Sequence, residues 1–296
     1  MTEEDIAVAD ENDHQPIDVE MDGVSYRVLT VESDSVAYDR FYNVIANPIL
    51  WFIQHYLWDL SNAPDIRQAE LDAWDKGYQV VNRDIADAVL AQIEGRDGPV
   101  VMLHDYHLYT APAMIRAARP DAFLYHFVHI PWPQADAWRV LPSRIRQAVF
   151  EGLLGNDIIG FHTSNYCINF LACCERLMDL EVDYDKLTVT HDGGKTLVRP
   201  YPLPIDAERL HRAAATREVA EAEMEVLARR REFLILRVDR ADLSKNVLRG
   251  FTAFDTFLSE HQEFRERVTF VAHLQPSRQD VPEYAEYLER IEALVA

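Results

Sequence analysis

The sequence predicts an α/β protein built on a parallel sheet, and three stretches carry that expectation. Val100–Leu103 is a short apolar run that stops at His104-Asp105-Tyr106-His107, and Phe123–Val128 is a second that stops at His129-Ile130-Pro131-Trp132-Pro133. A continuous apolar run closed by a polar or proline-rich break reads as a strand buried on both faces of a parallel sheet. Ala111–Ala118, between the two runs, reads as a helix and completes a strand–helix–strand unit. Ligands of such sheets settle beyond the carboxyl ends of the strands. Asp105 and His129 therefore stand where an open α/β fold places its chemistry.

The remaining elements follow from local pattern. Residues 1–23 are acidic and polar and read as a disordered lead, followed by a short strand at Val24–Val31. From Ser33 to about Leu60, apolar and aromatic residues recur at helical spacing, Tyr42 and Trp51 among them, and Pro48 is expected to start a new helix or kink an old one. Ile66–Ile93 is amphipathic and helical. Beyond the two central strands come a helix at Ser143–Leu153, a third apolar strand at Asp157–Phe161 and a helix at Ser164–Leu180. Leu187–Thr190 and Thr196–Arg199 flank His191-Asp192-Gly193-Gly194, the pattern of a β-hairpin with a glycine-rich turn. A long charged helix over 207–231 follows a proline-rich strand end. The α/β pattern then restarts with strands near 233–238 and 268–274 and helices near 247–261 and 281–295. The domain reading is a lead at 1–23, an N-terminal domain at 24–206, a linking helix at 207–231 and an incomplete second domain at 232–296.

Composition narrows the function classes. The chain has 296 residues, 48% of them hydrophobic and 10% aromatic, values of a globular protein with a substantial core. No apolar stretch approaches the roughly 18 residues that span a bilayer, and the acidic start is unlike a signal peptide. A soluble, cytoplasmic protein is expected. The formal net charge is −21, and only Lys76, Lys186, Lys195 and Lys245 are lysines. That balance argues against nucleic acid or an anionic membrane surface as a partner. It suits a salty cytoplasm as well as an ordinary acidic enzyme. An anionic substrate would need a local pocket of arginine and lysine. Cys167, Cys173 and Cys174 form neither a disulfide framework nor a zinc pattern and read as small buried hydrophobes.

Five motifs occur in order: His104-Asp-Tyr-His-Leu108, His129-Ile-Pro-Trp-Pro133, Gly160-Phe-His-Thr163, Arg240-Ala-Asp-Leu-Ser-Lys245 and Pro276-Ser-Arg278. Together, over about residues 30–296, they resemble the trehalose-6-phosphate synthases, retaining glycosyltransferases of the GT-B fold. The resemblance implies a Rossmann-like N-terminal domain and the beginning of a second one. It implies glucose transfer from a nucleoside-diphosphate glucose, UDP-glucose by the family's habit, to glucose 6-phosphate. Tyr42 and Trp51 match the aromatic pair on the acceptor phosphate, and Arg278 matches the arginine on that phosphate. Asp105 matches the aspartate on the acceptor hydroxyls, His129 the histidine beside the transferred sugar, and Arg240 and Lys245 the pair on the donor diphosphate. No cofactor and no metal are implied; His104 and His107 are not read as a metal pair. A homo-oligomer is compatible with the sequence.

The chemistry of these residue types agrees. A departing diphosphate gains charge, and preorganised Arg and Lys stabilise it most in the transition state. Arg presents a planar fork to phosphate and Lys a point charge. By periodicity alone, core packing explains Tyr42 and Trp51 equally well.

Some positions depart from the family pattern. Trp132 stands in place of the usual Phe and Pro204 in place of a usual Gly, variants shared with glucosylglycerol-phosphate synthases and pseudo-glycosyltransferases. The family's N-terminal glycine-rich loop and the acidic segment of its second domain are not found. The expectation is a portion of a longer enzyme, inactive by itself, with a glucosylglycerol-phosphate synthase or pseudo-glycosyltransferase relative, or a non-catalytic sugar-phosphate-binding module, as the alternatives. The five side chains at 105, 129, 240, 245 and 278 are expected to converge on one sugar-phosphate cleft.

Overall fold

The computed structural model describes residues 15–21, 23–57, 64–278 and 281–295, and the chain divides into two units, Met1–Pro202 and Leu203–Ala296. The first unit opens with a hairpin of β1 (Ile17–Met21) and β2 (Val24–Val28), paired antiparallel from Ile17↔Val28 to Met21↔Val24. The acidic lead thus contains a strand, while residues 1–14 lie outside the described residues.

Helix α1 is continuous through Ser35–Asp39, a wide-wound π stretch at Arg40–Trp51 and a last turn at Phe52–Gln54. Asp34 starts it by accepting the Ala37 N–H at 2.9 Å. Pro48 neither starts nor breaks the helix. It sits in the π stretch, where wider winding accommodates a residue that has no N–H to give and whose ring would strike the turn before it. Helix α2 runs through Gln68–Ala73, a second π turn at Trp74–Tyr78 and Gln79–Gln92. The two helices meet at Gly77, where an added Cβ would lie 2.5 Å from Arg40 Cβ and 2.8 Å from the Phe41 nitrogen. Only glycine admits that approach.

The main sheet has six strands: β3 (Val100–His104), β4 (Phe123–Val128), β5 (Ile158–Phe161), β6 (Glu181–Asp183), β7 (Thr188–His191) and β8 (Gly194–Pro200). Their order is β3-β4-β5-β8-β7-β6, parallel from β3 to β8 and antiparallel beyond. Asp192 and Gly193 turn the β7–β8 hairpin with φ of 48° and 77°, the two positive values a tight hairpin requires. Helices α3 (Ala111–Ala118), α4 (Ser143–Leu154) and α5 (Ser164–Met178) carry the crossovers. One expectation needs correction. β3 is an edge strand with one face open, for Val100 and Met102 are exposed while Val101 and Leu103 are buried. An apolar run cannot tell two covered faces from one, because both strand types tolerate apolar side chains.

Among the described residues, two clusters pack around the sheet. Val101, Leu103 and Leu124 pack against Ala86, Ala111 and Ile115 of α2 and α3. Trp132, fully buried, is surrounded by the rings of Trp138, Phe150, Phe161 and Phe170 at centroid distances of 4.6–5.6 Å. The cysteines are buried on α5 as expected, and burial pushes the Cys167 thiol up to about 11 and that of Cys173 to about 12.

In the second unit the charged 207–231 segment is two helices, α6 (Ala207–Ala214) and α7 (Arg217–Arg229), separated where Thr216 caps α7 through the Val219 N–H. A Thr with its side chain turned to the backbone competes with helix continuation, a signal the charge pattern masked. Strands β9 (Phe233–Ala241) and β10 (Val268–Pro276) pair in parallel, Phe233↔Val268 through Ala241↔Pro276. Helices α8 (Val247–Glu260) and α9 (Pro282–Val295) supply Val247, Tyr287 and Ile291 to a small core around Ala241.

Because Trp132 fills the centre of the aromatic cluster, Trp132→Ala should cost about 3–5 kcal/mol. Urea unfolding followed by near-ultraviolet circular dichroism measures it; a loss below about 1 kcal/mol would mean that the cluster collapses around the gap.

Candidate active site

Asp105 is the first residue past β3 and has φ 65° and ψ −178°, a region that side chains other than glycine's rarely enter. Strain of about 1–3 kcal/mol persists only where the surroundings over-determine the backbone. Here they do. The Asp105 N–H donates to the Phe127 carbonyl at 2.8 Å, and its own carbonyl accepts from His126 Nε2 at 2.9 Å and from the Leu108 N–H at 3.3 Å. Its Oδ1 accepts the His129 N–H at 3.1 Å. Burial raises the pKa of the carboxyl, and the N–H groups of His129, Tyr106 and Ile130 oppose that rise.

The loop after Asp105 is clamped from beneath. Tyr78 donates to the Tyr106 carbonyl at 2.6 Å and accepts the Tyr109 N–H, while Asn82 donates to the His107 carbonyl and accepts the N–H of Ala111. Tyr106 and Tyr109 donate their hydroxyls to Asn47 and Gln54 of α1 at 2.9 and 2.8 Å.

Histidines crown the carboxyl ends of three neighbouring parallel strands. His104 Nδ1 lies 3.1 Å from His129 Nε2, so one ring must donate and the other accept. The His162 ring stands 5.9 Å from that of His129. Burial, then His104 and His162, lowers the pKa of His129, which favours a neutral imidazole. Among the described residues no group of His, Cys, Asp or Glu is arranged to hold a metal ion. His126, beneath, is fully buried and held neutral, its pKa lowered to about 3 by burial.

Tyr42 stacks on His107 with centroids 5.8 Å apart and lines a cavity of about 280 Å³ with His104, His107 and Ser33. That cavity opens beside the site histidines. Trp51 is buried, its ring 3.8 Å from His55 and 5.7 Å from Tyr106, so it supports the clamped loop from α1.

In the second unit Arg240 lies near the carboxyl end of β9 and Arg278 just past that of β10, and both bear on the ionisation of Tyr284. Arg240 pairs at 3.3 Å with Asp242, which is fully buried and also accepts the N–H and the hydroxyl of Ser244. Arg278 has φ 50°; its Nη1 donates to the Tyr284 hydroxyl at 2.8 Å, and its guanidinium lies 5.4 Å from the centre of that ring. Burial first pushes the Tyr284 phenol up to about 12. Lys245 is exposed at the end of the turn after β9, whose N–H groups at 244 and 245 bond back to Asp242. Asp105 and His129 thus come together in the first unit, and Arg240 and Arg278 both face Tyr284 in the second. Sequence reasoning missed Asp242, Tyr284 and His126. Asp242 lay inside the Arg240–Lys245 motif and was readable as its brace; nothing local marked the other two.

Two α/β units with parallel strands, each with polar side chains gathered at its strand ends, give the chain a GT-B-like, Rossmann-like architecture. The chain belongs to glycosyltransferase family 20, whose family pattern matches residues 4–296. It is 34% identical over 275 residues to a bifunctional trehalose-6-phosphate synthase/phosphatase of Thermoproteus tenax, covering 91% of this chain and 35% of that protein. It is 32% identical over 306 residues to a validamine 7-phosphate valienyltransferase of Streptomyces hygroscopicus subsp. jinggangensis, covering 98% and 59%. The solved structure of an α,α-trehalose-phosphate synthase (UDP-forming) from Burkholderia vietnamiensis superposes with TM-score 0.78 and 26% identity over 95% of this chain and 57% of that one. The chain therefore spans about a third to three fifths of the length of these relatives.

Burial of neutral His126 gives a pH dependence with a definite sign. Its unfolded pKa is about 6.5 and its folded value is depressed, so its contribution is complete above pH 6.5 and is lost as pH falls toward about 3. From pH 7.5 to pH 5, urea midpoints should show the wild type losing about 2 kcal/mol more than His126→Phe. Parallel losses in the two proteins would exclude a buried neutral His126.

Proposed function

We propose that this chain serves the retaining transfer of glucose from a nucleoside-diphosphate glucose, with UDP-glucose as donor, to glucose 6-phosphate, giving trehalose 6-phosphate. The observation that carries it is the Asp105 carboxylate, fixed on over-determined backbone beside His129 at two strand ends, in a chain of family 20. The names of the Thermoproteus and Burkholderia relatives support the reaction.

Asp105 orients the acceptor hydroxyl, with Tyr42 and Trp51 on the acceptor side. His129, neutral, hydrogen-bonds the transferred sugar. Arg240 and Lys245 stabilise the charge that grows on the diphosphate as the glycosidic bond breaks, and Arg278 binds the acceptor phosphate. The acceptor oxygen attacks from the face the diphosphate leaves, and the leaving group takes the acceptor proton. No covalent nucleophile, cofactor or metal is required. Residues 24–206 serve as the acceptor-binding domain, 207–231 as the link and 232–296 as donor-binding. Among the described residues no helix is long and apolar enough to cross a membrane. The cytoplasm is the compartment we assign, supported by the three unpaired thiols.

Calorimetric titration tests the assignment. Glucose 6-phosphate should bind the chain, and Asp105→Asn should weaken it by about 10–100-fold, the worth of a charge-assisted hydrogen bond. Arg278→Ala should weaken it at least as much, since it removes a guanidinium from phosphate. No heat from glucose 6-phosphate at millimolar concentration would overturn the reading. The 32% identity to the valienyltransferase over 98% of the chain favours one second reading, a cyclitol phosphate as ligand. Tighter binding of validamine 7-phosphate than of glucose 6-phosphate would select it.

A further inference from the structure

We propose that His126 is a positioning residue, pinning the left-handed backbone of Asp105 from below and so aiming the Asp105 carboxylate at the acceptor. The function of that carboxylate rests on the reading above; the pinning itself does not.

His126 lies on β4 with its ring fully buried against Tyr109, the centroids 5.7 Å apart. Its Nε2 is 2.9 Å from the Asp105 carbonyl oxygen. A carbonyl oxygen only accepts, so the proton must sit on Nε2. Nδ1 then carries a bare lone pair, and it is buried with no hydrogen-bond partner among the described residues. Leaving an acceptor unsatisfied in the interior is unfavourable, and an apolar ring of similar size would avoid that cost. The imidazole therefore lowers the stability of its own pocket while supplying one thing an apolar ring cannot, a donor to Asp105.

The geometry says why a donor is wanted there. Asp105 at φ 65° and ψ −178° must be held by its surroundings, and the Leu108 N–H reaches the same carbonyl only at 3.3 Å. The His126 bond is the shorter of the two. It fixes the orientation of the peptide between Asp105 and Tyr106, and the Tyr106 N–H on that peptide is one of the groups that face the carboxylate. Release of the carbonyl would let this peptide rotate, carry the N–H away and turn the carboxylate. Protonation of the ring at ordinary pH is suppressed by burial, so the donor stays in one tautomer through the working range.

Nitrogen-15 correlation spectra of the chain test the tautomer directly. A neutral ring protonated on Nε2 is expected near pH 7; protonation on Nδ1 would overturn the proposal whatever the variants do. The variants then separate donor from filler. His126→Phe keeps ring volume and removes the donor, while His126→Gln places an amide N–H near the Nε2 position. In His126→Phe the Asp105 and His129 amide signals should shift, the Asp105 carboxyl titration should move, and affinity for glucose 6-phosphate should fall at least about tenfold. His126→Gln should return all three toward the wild type, with affinity restored to within about threefold. Unchanged Asp105 signals in His126→Phe, or no rescue by His126→Gln when both variants melt cooperatively, would overturn the proposal. If wild-type protein fails to bind glucose 6-phosphate while the Asp105 signals follow this pattern, the pinning stands and only the acceptor assignment falls.

Discussion

Everything in the first unit depends on how the loop after β3 is held. Residues 105–110 leave the sheet with buried backbone groups, and buried groups must find partners. The partners are side chains of α1 and α2: Tyr78 and Asn82 for the carbonyls of Tyr106 and His107, Asn47 and Gln54 for the hydroxyls of Tyr106 and Tyr109. These polar groups lie in the interior, where an unmade hydrogen bond costs about 1–3 kcal/mol. Each makes at least one hydrogen bond with the loop, so helices and loop specify one another. The close approach at Gly77 belongs to the same solution, because it brings α1 and α2 near enough for the clamp to close.

On that support the site obtains its electrostatic character. The Asp105 carboxylate is drawn out of water, which raises its pKa, and given backbone donors, which lower it. Those donors oppose the rise and fix the direction of the carboxyl group. The adjoining histidines are pushed the other way. Burial and mutual repulsion favour neutral imidazoles at His126 and His129, so the strand ends around Asp105 gain polar groups without extra positive charge. The second unit solves a different problem. In a chain of net charge −21, an anion needs fixed cations, and buried Asp242 steadies Arg240 while Tyr284 steadies Arg278. Restraint of long side chains before a ligand arrives reduces the entropy lost on binding.

The parallel strands were legible because their apolar runs end abruptly at polar residues, and the strand-end positions of Asp105 and His129 because both directly follow those runs. The β7–β8 hairpin was legible from Asp192-Gly193, a pair that accepts two positive φ values. The exposed face of β3 was not, since apolar content is the same on covered and uncovered edges. Neither was the break at Thr216, where a charged amphipathic pattern runs on through a capping residue.

Sequence alone determined the order of elements, the strand-end address of Asp105 and His129, and the placement of Arg240 and Arg278 near the ends of two later strands, because each is a property of short segments. Tertiary structure alone decided that Asp105 takes a backbone conformation suited to glycine, that His126 stands beneath it with its proton on Nε2, and that Arg278 rests on Tyr284. Those outcomes depend on bonds between residues that are far apart in the chain or in unrelated local patterns, such as Tyr106 with Asn47 across 59 positions. No local pattern encodes such a bond; it exists only once packing has excluded the water that would otherwise compete for it.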